Sequence, residues 1–123
     1  MATVPHPYYP LGVELPGYVP NELSTATLIE TFASVAFIIF LATILYAQSK
    51  NPRLQRWDQA GAAWFVLTGS IHLFFEGYYS LNLTHMPILS GIFGQLWKEY
   101  ALSDSRYMSM DGLVWCMETV TAV

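Results

Sequence analysis

Residues 60–83 form an apolar run, AGAAWFVLTGSIHLFFEGYYSLNL, broken by two ionisable side chains, His72 and Glu76. The run is long enough to cross a bilayer, for which a helix needs roughly 20 mostly apolar residues. An ionisable group at membrane depth costs about 2.5–3.5 kcal/mol on insertion scales. Spaced by four, the two side chains share one helical face, about 6 Å apart along the axis. A chain that accepts this cost twice on one face points to chemistry on an apolar molecule.

The totals agree with a membrane setting. At 123 residues the chain is one domain or less. Apolar residues make up 54% and charged residues 11%, against roughly 25% charged in an ordinary soluble domain. A net charge of −4 without a basic stripe excludes nucleic acid as a partner. Cys116 is the one cysteine, so no disulfide forms within the chain.

Residues 1–23 carry Pro5, Pro7, Pro10, Pro16 and Pro20 and read as an irregular or polyproline-like arm. Its Tyr8, Tyr9 and Tyr18 suit a membrane-surface position. No basic region precedes a short apolar core, as a cleavable signal peptide requires. Residues 24–48 are the first spanning helix, with Ser24 or Thr25 as N-cap and Glu30 reaching the headgroups. The connection over 49–59 holds Lys50, Arg53 and Arg56, whereas 1–49 contain no Lys or Arg. By the positive-inside rule that connection is cytoplasmic. The sequon Asn82-Leu83-Thr84, at the end of a span, is a chance match. In 87–100 the apolar residues Ile88, Leu89, Ile92, Phe93, Leu96, Trp97 and Tyr100 recur at helical spacing. This segment is too short to span, and reads as a surface helix or an ordinary packed one. After a turn at 103–106, a third apolar run opens at Asp111 and carries Glu118 and Thr121. It stops at Val123 before it could cross, so the chain reads as the N-terminal part of a longer protein, a two-helix protein with a frayed tail being the alternative. The expected fold is all-α: a polytopic membrane helical bundle with two complete transmembrane helices and the start of a third.

This topology puts Glu76 and Glu118 each seven residues inside a helix end, or roughly 10 Å, so the carboxylates come out level. His72 lies one turn deeper on the face of Glu76, and Thr121 shares the face of Glu118. In a dry site, neighbouring ionisable groups push one another's proton affinities apart, leaving one as acid and another as base. Trp64, Phe65, Phe74, Phe75, Tyr78 and Tyr79 are available to line an apolar pocket around them. One His and two carboxylates without a spacing motif do not make a metal site, and no metal is expected. A purely structural reading, in which the polar groups join helices, stands beside the chemical one.

The runs HPYYP (6–10), VPN (19–21), IHLFFEGYY (71–79), QLWKEYALSDSRY (95–107) and CMETVTA (116–122) resemble the emopamil-binding protein family. The resemblance implies a multi-pass protein of the endoplasmic reticulum membrane with five helices, the last four forming an EXPERA domain. Residues 1–23 would then be the arm, 24–59 the first helix with its cytoplasmic connection, and 60–123 the N-terminal part of that domain. It implies a sterol Δ8–Δ7 isomerase of sterol biosynthesis, working without cofactor by protonation of an alkene and deprotonation of the carbocation. The implied partners are a sterol substrate, cationic amphiphilic amines as inhibitors and the lipid bilayer; a homodimer is compatible. Matched by position, His72, Glu76, Glu118 and Thr121 are the catalytic set, which carboxylate is acid and which steadies the cation being open. Tyr107 and Met117, beside them, are implied to touch substrate. The family pattern also needs an Asn and a Trp from a later helix, so this segment alone is expected to be inactive. Some relatives bind sterols or amines without isomerising them, and non-catalytic binding is the alternative function.

Overall fold

The computed structural model describes residues 4–123, which fold into helices joined by irregular segments, with no strand among the described residues. Residues 1–3 of the expected arm lie outside that range. Helix α1 (Thr25–Lys50) starts where Ser24 accepts a hydrogen bond from the Thr27 amide at 3.2 Å. It is apolar, long enough to cross a membrane, and has Leu28 as its one buried residue. Five residues later the chain turns back, and Gln48 near the end of α1 donates to Gln59 at 2.9 Å across the hairpin.

Helix α2 (Arg56–Ser70) passes without a cap into a π-helical segment (Ile71–Glu76) and then α3 (Gly77–Asn82). Ser70, Ile71, Glu76 and Gly77 all keep right-handed helical dihedrals, so the three form one continuous rod. At 1.5 Å per residue the rod is roughly 40 Å long, about the length of α1. It begins a turn before the expected start, because Arg56, Asp58 and Gln59 extend the helix beyond its apolar run.

The core sits at the far end of this hairpin. A 3₁₀ segment (Leu83–Ile88), helix α4 (Ile92–Tyr100), a short 3₁₀ turn (Ser105–Tyr107) and helix α5 (Gly112–Thr121) close around Tyr79, Met86, Trp97, Tyr107 and Val114. Gly94 is required here, since a Cβ would come within 2.7 Å of the Leu89 side chain and 2.8 Å of its carbonyl. Asp111 caps α5, accepting from the Leu113 and Val114 amides at 3.0 Å.

The N-terminal arm completes the core. Tyr8 and Tyr18 are buried, and of the three tyrosines only Tyr9 is exposed. The arm lies on the polar face of α4, where Gln95 and Lys98 are buried rather than solvated. Gln95 accepts from the Glu22 and Leu23 amides at 3.0 and 2.9 Å, and Lys98 donates to the Val19 carbonyl at 2.6 Å. The Tyr8 hydroxyl donates to the Lys98 carbonyl at 3.0 Å. A segment whose backbone lacks helix or ladder partners must find them elsewhere when buried, and α4 supplies them. Gly17, at φ +72°, presses against Ile88 where a Cβ would meet it at 2.8 Å.

Candidate active site

The polar residues of the rod and of α5 meet where the π segment ends. His72 Nδ1 lies 2.7 Å from Glu76 Oε1. The other oxygen of Glu76, Oε2, accepts from the Thr121 hydroxyl at 2.5 Å, so the chain of contacts crosses from the rod to α5. One turn back along α5, buried Glu118 accepts from the Tyr107 hydroxyl at 2.5 Å. Glu76 therefore stands opposite Thr121 and is level with Glu118 only to within a turn, roughly 4.5 Å along the axis. The depth comparison brought the right helices together with that offset.

Exposure separates the roles these groups can take. The His72 side chain is 47% exposed and that of Glu76 15%. With Nδ1 held by Glu76, the Nε2 edge of His72 is the one free to meet a ligand. Met117 is half-exposed on α5, and its carbonyl accepts from Thr121 at 3.1 Å. Tyr107 is buried, with its hydroxyl on Glu118. Burial first, and then its bond to Glu118, push the Tyr107 phenol above its ordinary range, so it remains a donor.

Two tryptophans tie these elements together through backbone carbonyls. The Trp97 indole N–H donates to the Phe75 carbonyl at 3.0 Å, and that of Trp115 to the Ser80 carbonyl at 3.0 Å. Neither contact had a signal in the sequence, where Trp97 reads as one more residue of an apolar stripe. The π segment was equally hidden, although π turns often mark functional sites.

The expected aromatic pocket is placed differently. A cavity of about 320 Å³ lies between α1, the rod and α4, lined by Phe32, Val35, Leu67, Ile71, Phe74 and Phe75 among others. Of the six aromatics expected around the acids, Phe74 and Phe75 line it and Trp64 and Phe65 do not. His72, Glu76 and Glu118 are not in its wall. Adjacent residues on a helix point about 100° apart, so Ile71 and Phe75 face the cavity while His72 and Glu76 face α5.

Comparison with curated proteins then bears on what this geometry belongs to. The chain is 38% identical over 122 residues to the 3-beta-hydroxysteroid-Delta(8),Delta(7)-isomerase of Mus musculus, covering 98% of the chain and 53% of the relative. It is 35% identical over 118 residues to the rat protein of the same name, covering 95% and 51%. The chain belongs to the emopamil-binding protein family. A more distant relative, a protoglabretal synthase of Ailanthus altissima, is 29% identical over 119 residues, covering 96% and 54%. The chain spans about half the length of the curated relatives it matches. No protein-family model matches it.

Proposed function

We propose that the protein carrying this chain is a sterol Δ8–Δ7 isomerase, a multi-pass enzyme of the endoplasmic reticulum membrane. Helix α1 and the rod, each roughly 40 Å long, exceed the 30 Å hydrocarbon layer and are two complete spans, and α5 begins a third. The basic connection between α1 and α2 lies in the cytoplasm, which places the arm and α4 on the opposite surface.

The reaction needs only protons. An acid adds a proton to the C8–C9 double bond, whose electron pair forms the new C–H bond and leaves a cation at C8. A base removes a proton from C7, and that C–H pair becomes the C7–C8 double bond. One proton enters and one leaves, so the step balances without cofactor or metal. The His72–Glu76 pair is suited to the proton transfers, since Glu76 orients the imidazole and leaves Nε2 facing outward. Thr121 fixes the second oxygen of Glu76. Glu118, anchored by Tyr107, supplies fixed negative charge near the developing cation, usually a large catalytic contribution. Met117 offers apolar contact to the ring system. A cationic amphiphilic amine would occupy the same place as a mimic of the cation.

The observation that carries this reading is the Thr121 hydroxyl on Glu76 at 2.5 Å, which joins the acid-bearing faces of two successive helices. The names of the Mus musculus and rat relatives support the sterol substrate. The test is expression of the full open reading frame containing this chain in cells that lack Δ8–Δ7 isomerase, with sterols read by mass spectrometry. The Δ7 product should appear, and disappear with either Glu76→Gln or Glu118→Gln. Product that persists through both changes overturns the mechanism. A different rearranged product would instead align the protein with relatives such as the synthase of Ailanthus altissima.

A further inference from the structure

We infer that Trp97, on a helix that contributes no acid or base, is the positioning residue that holds both halves of the site in register. The inference rests on the isomerase reading for its kinetic consequence and on geometry alone for the rest. Trp97 is almost fully buried at the centre of the core. Its indole N–H reaches the Phe75 carbonyl at 3.0 Å, the peptide that leads directly into Glu76. Its ring stacks with Phe75 at 4.4 Å between centroids and 10° between planes. The π segment bearing His72 and Glu76 is thus gripped from α4 by a directional bond and a face contact at the same residue.

The same indole supports the other half. It stacks with Tyr107 at 5.1 Å and 24°, and Tyr107 is the donor that holds Glu118. Tyr79 closes the group, tilted against Trp97 at 4.8 Å and edge-on to Tyr107 at 5.2 Å. A displacement of Trp97 would therefore move Glu76 and Glu118 relative to each other. Tryptophan is specific here, because phenylalanine can stack but has no N–H, and the tyrosine hydroxyl lies off the ring in another direction. A shift of about 1 Å in a reacting group can lower rate by roughly 100-fold, while the apolar surfaces that hold the substrate need not change.

The test uses the full-length protein with Trp97→Phe, and with Trp97 replaced by 3-benzothienylalanine, which keeps the indole shape and lacks the N–H. Both should lower kcat by roughly 10- to 100-fold with KM changed less than about twofold. Imidazole signals of ¹⁵N-histidine-labelled protein, with His72 assigned through His72→Gln, should show displaced His72 ring chemical shifts in both variants. That second readout requires no turnover. If the unaltered protein isomerises nothing, the isomerase reading fails and the His72 signal alone decides the role of Trp97. Should Trp97→Phe not fold, the benzothienylalanine protein decides. A folded variant with unchanged kcat and unchanged His72 ring chemical shifts overturns the inference, as does a fall in activity that only tracks the loss of folded protein.

Discussion

Along α4 and across the end of the rod, the molecule pairs polar side chains in two different ways. On α4 they bond to backbone: Gln95 to Glu22, Leu23 and Ser90, Lys98 to Val19. Between the rod and α5 they bond to one another: His72 to Glu76, Thr121 to Glu76, Tyr107 to Glu118. Most side-chain hydrogen bonds in folded proteins go to backbone or water, and only about 10–15% of all hydrogen bonds join two side chains. The first region is the ordinary solution to an arm without secondary structure. The second is a chain of ionisable groups that no backbone requires. Burial alone would have grouped Gln95 and Lys98 with Glu118; the identity of their partners separates structure from chemistry.

The largest effect that could break this contrast is on turnover. Glu76→Gln should lower the rate by roughly 10²- to 10⁴-fold and leave thermal unfolding in detergent nearly unchanged. The amide keeps the shape and can still meet His72 and Thr121, but it cannot exchange a proton in the same way. If its main consequence is a lower melting temperature, the rod–α5 contacts are structural glue and the distinction fails.

Gln95→Ala is the counterpart. It leaves the Glu22 and Leu23 amides without their acceptor, and unsatisfied buried donors cost about 1–3 kcal/mol each. Partial access of water should hold the total near 2 kcal/mol, seen as a lower melting temperature, while activity per folded molecule stays the same. Activity lost at unchanged stability would show the arm to be part of the chemistry.

How far the sequence exposed each region follows from what kind of pattern each uses. The apolar runs located α1 and the rod, because hydrocarbon thickness sets a length that composition must match. They missed the start of the rod, since Arg56, Asp58 and Gln59 continue the helix where the apolar run has not begun. His72 and Glu76 were legible as a pair because spacing of four survives in a helical rod. Thr121 came within reach of Glu76 by comparing depths, and the turn of offset reflects the uncertainty of the helix ends. The burial of Tyr8 and Tyr18 was not legible, as the arm is held by single backbone carbonyls and amides that leave no periodicity. Trp97 was hidden for the same reason: its bond is to the Phe75 carbonyl, and every residue type has one.

Asp111→Ala sharpens the contrast at a smaller scale. It removes the acceptor for the Leu113 and Val114 amides and should cost about 1 kcal/mol, the usual loss for an N-cap. Hydrogen exchange should rise first in α5, which carries Glu118 and Thr121, and leave α4 protected. Equal loosening of α4 would mean that the two regions unfold as one unit.

The smallest effect distinguishes the regions by pH. Burial lowers the proton affinity of Lys98, partly offset by the charge of Glu22. Between that lowered value and the ordinary lysine value of 10.5, the unfolded chain binds more protons at this position than the folded one. Stability should therefore rise with pH across that window, because the neutral amine still donates to the Val19 carbonyl and the cost of burying its charge disappears. Unfolding followed from pH 7 to 10 should show this rise, and Lys98→Met should remove it. The test also compares Glu76→Gln, which should leave the rise intact if the arm and α4 are energetically separate from the rod–α5 contacts. A rise that vanishes with Glu76→Gln would couple the two networks and dissolve the distinction between them.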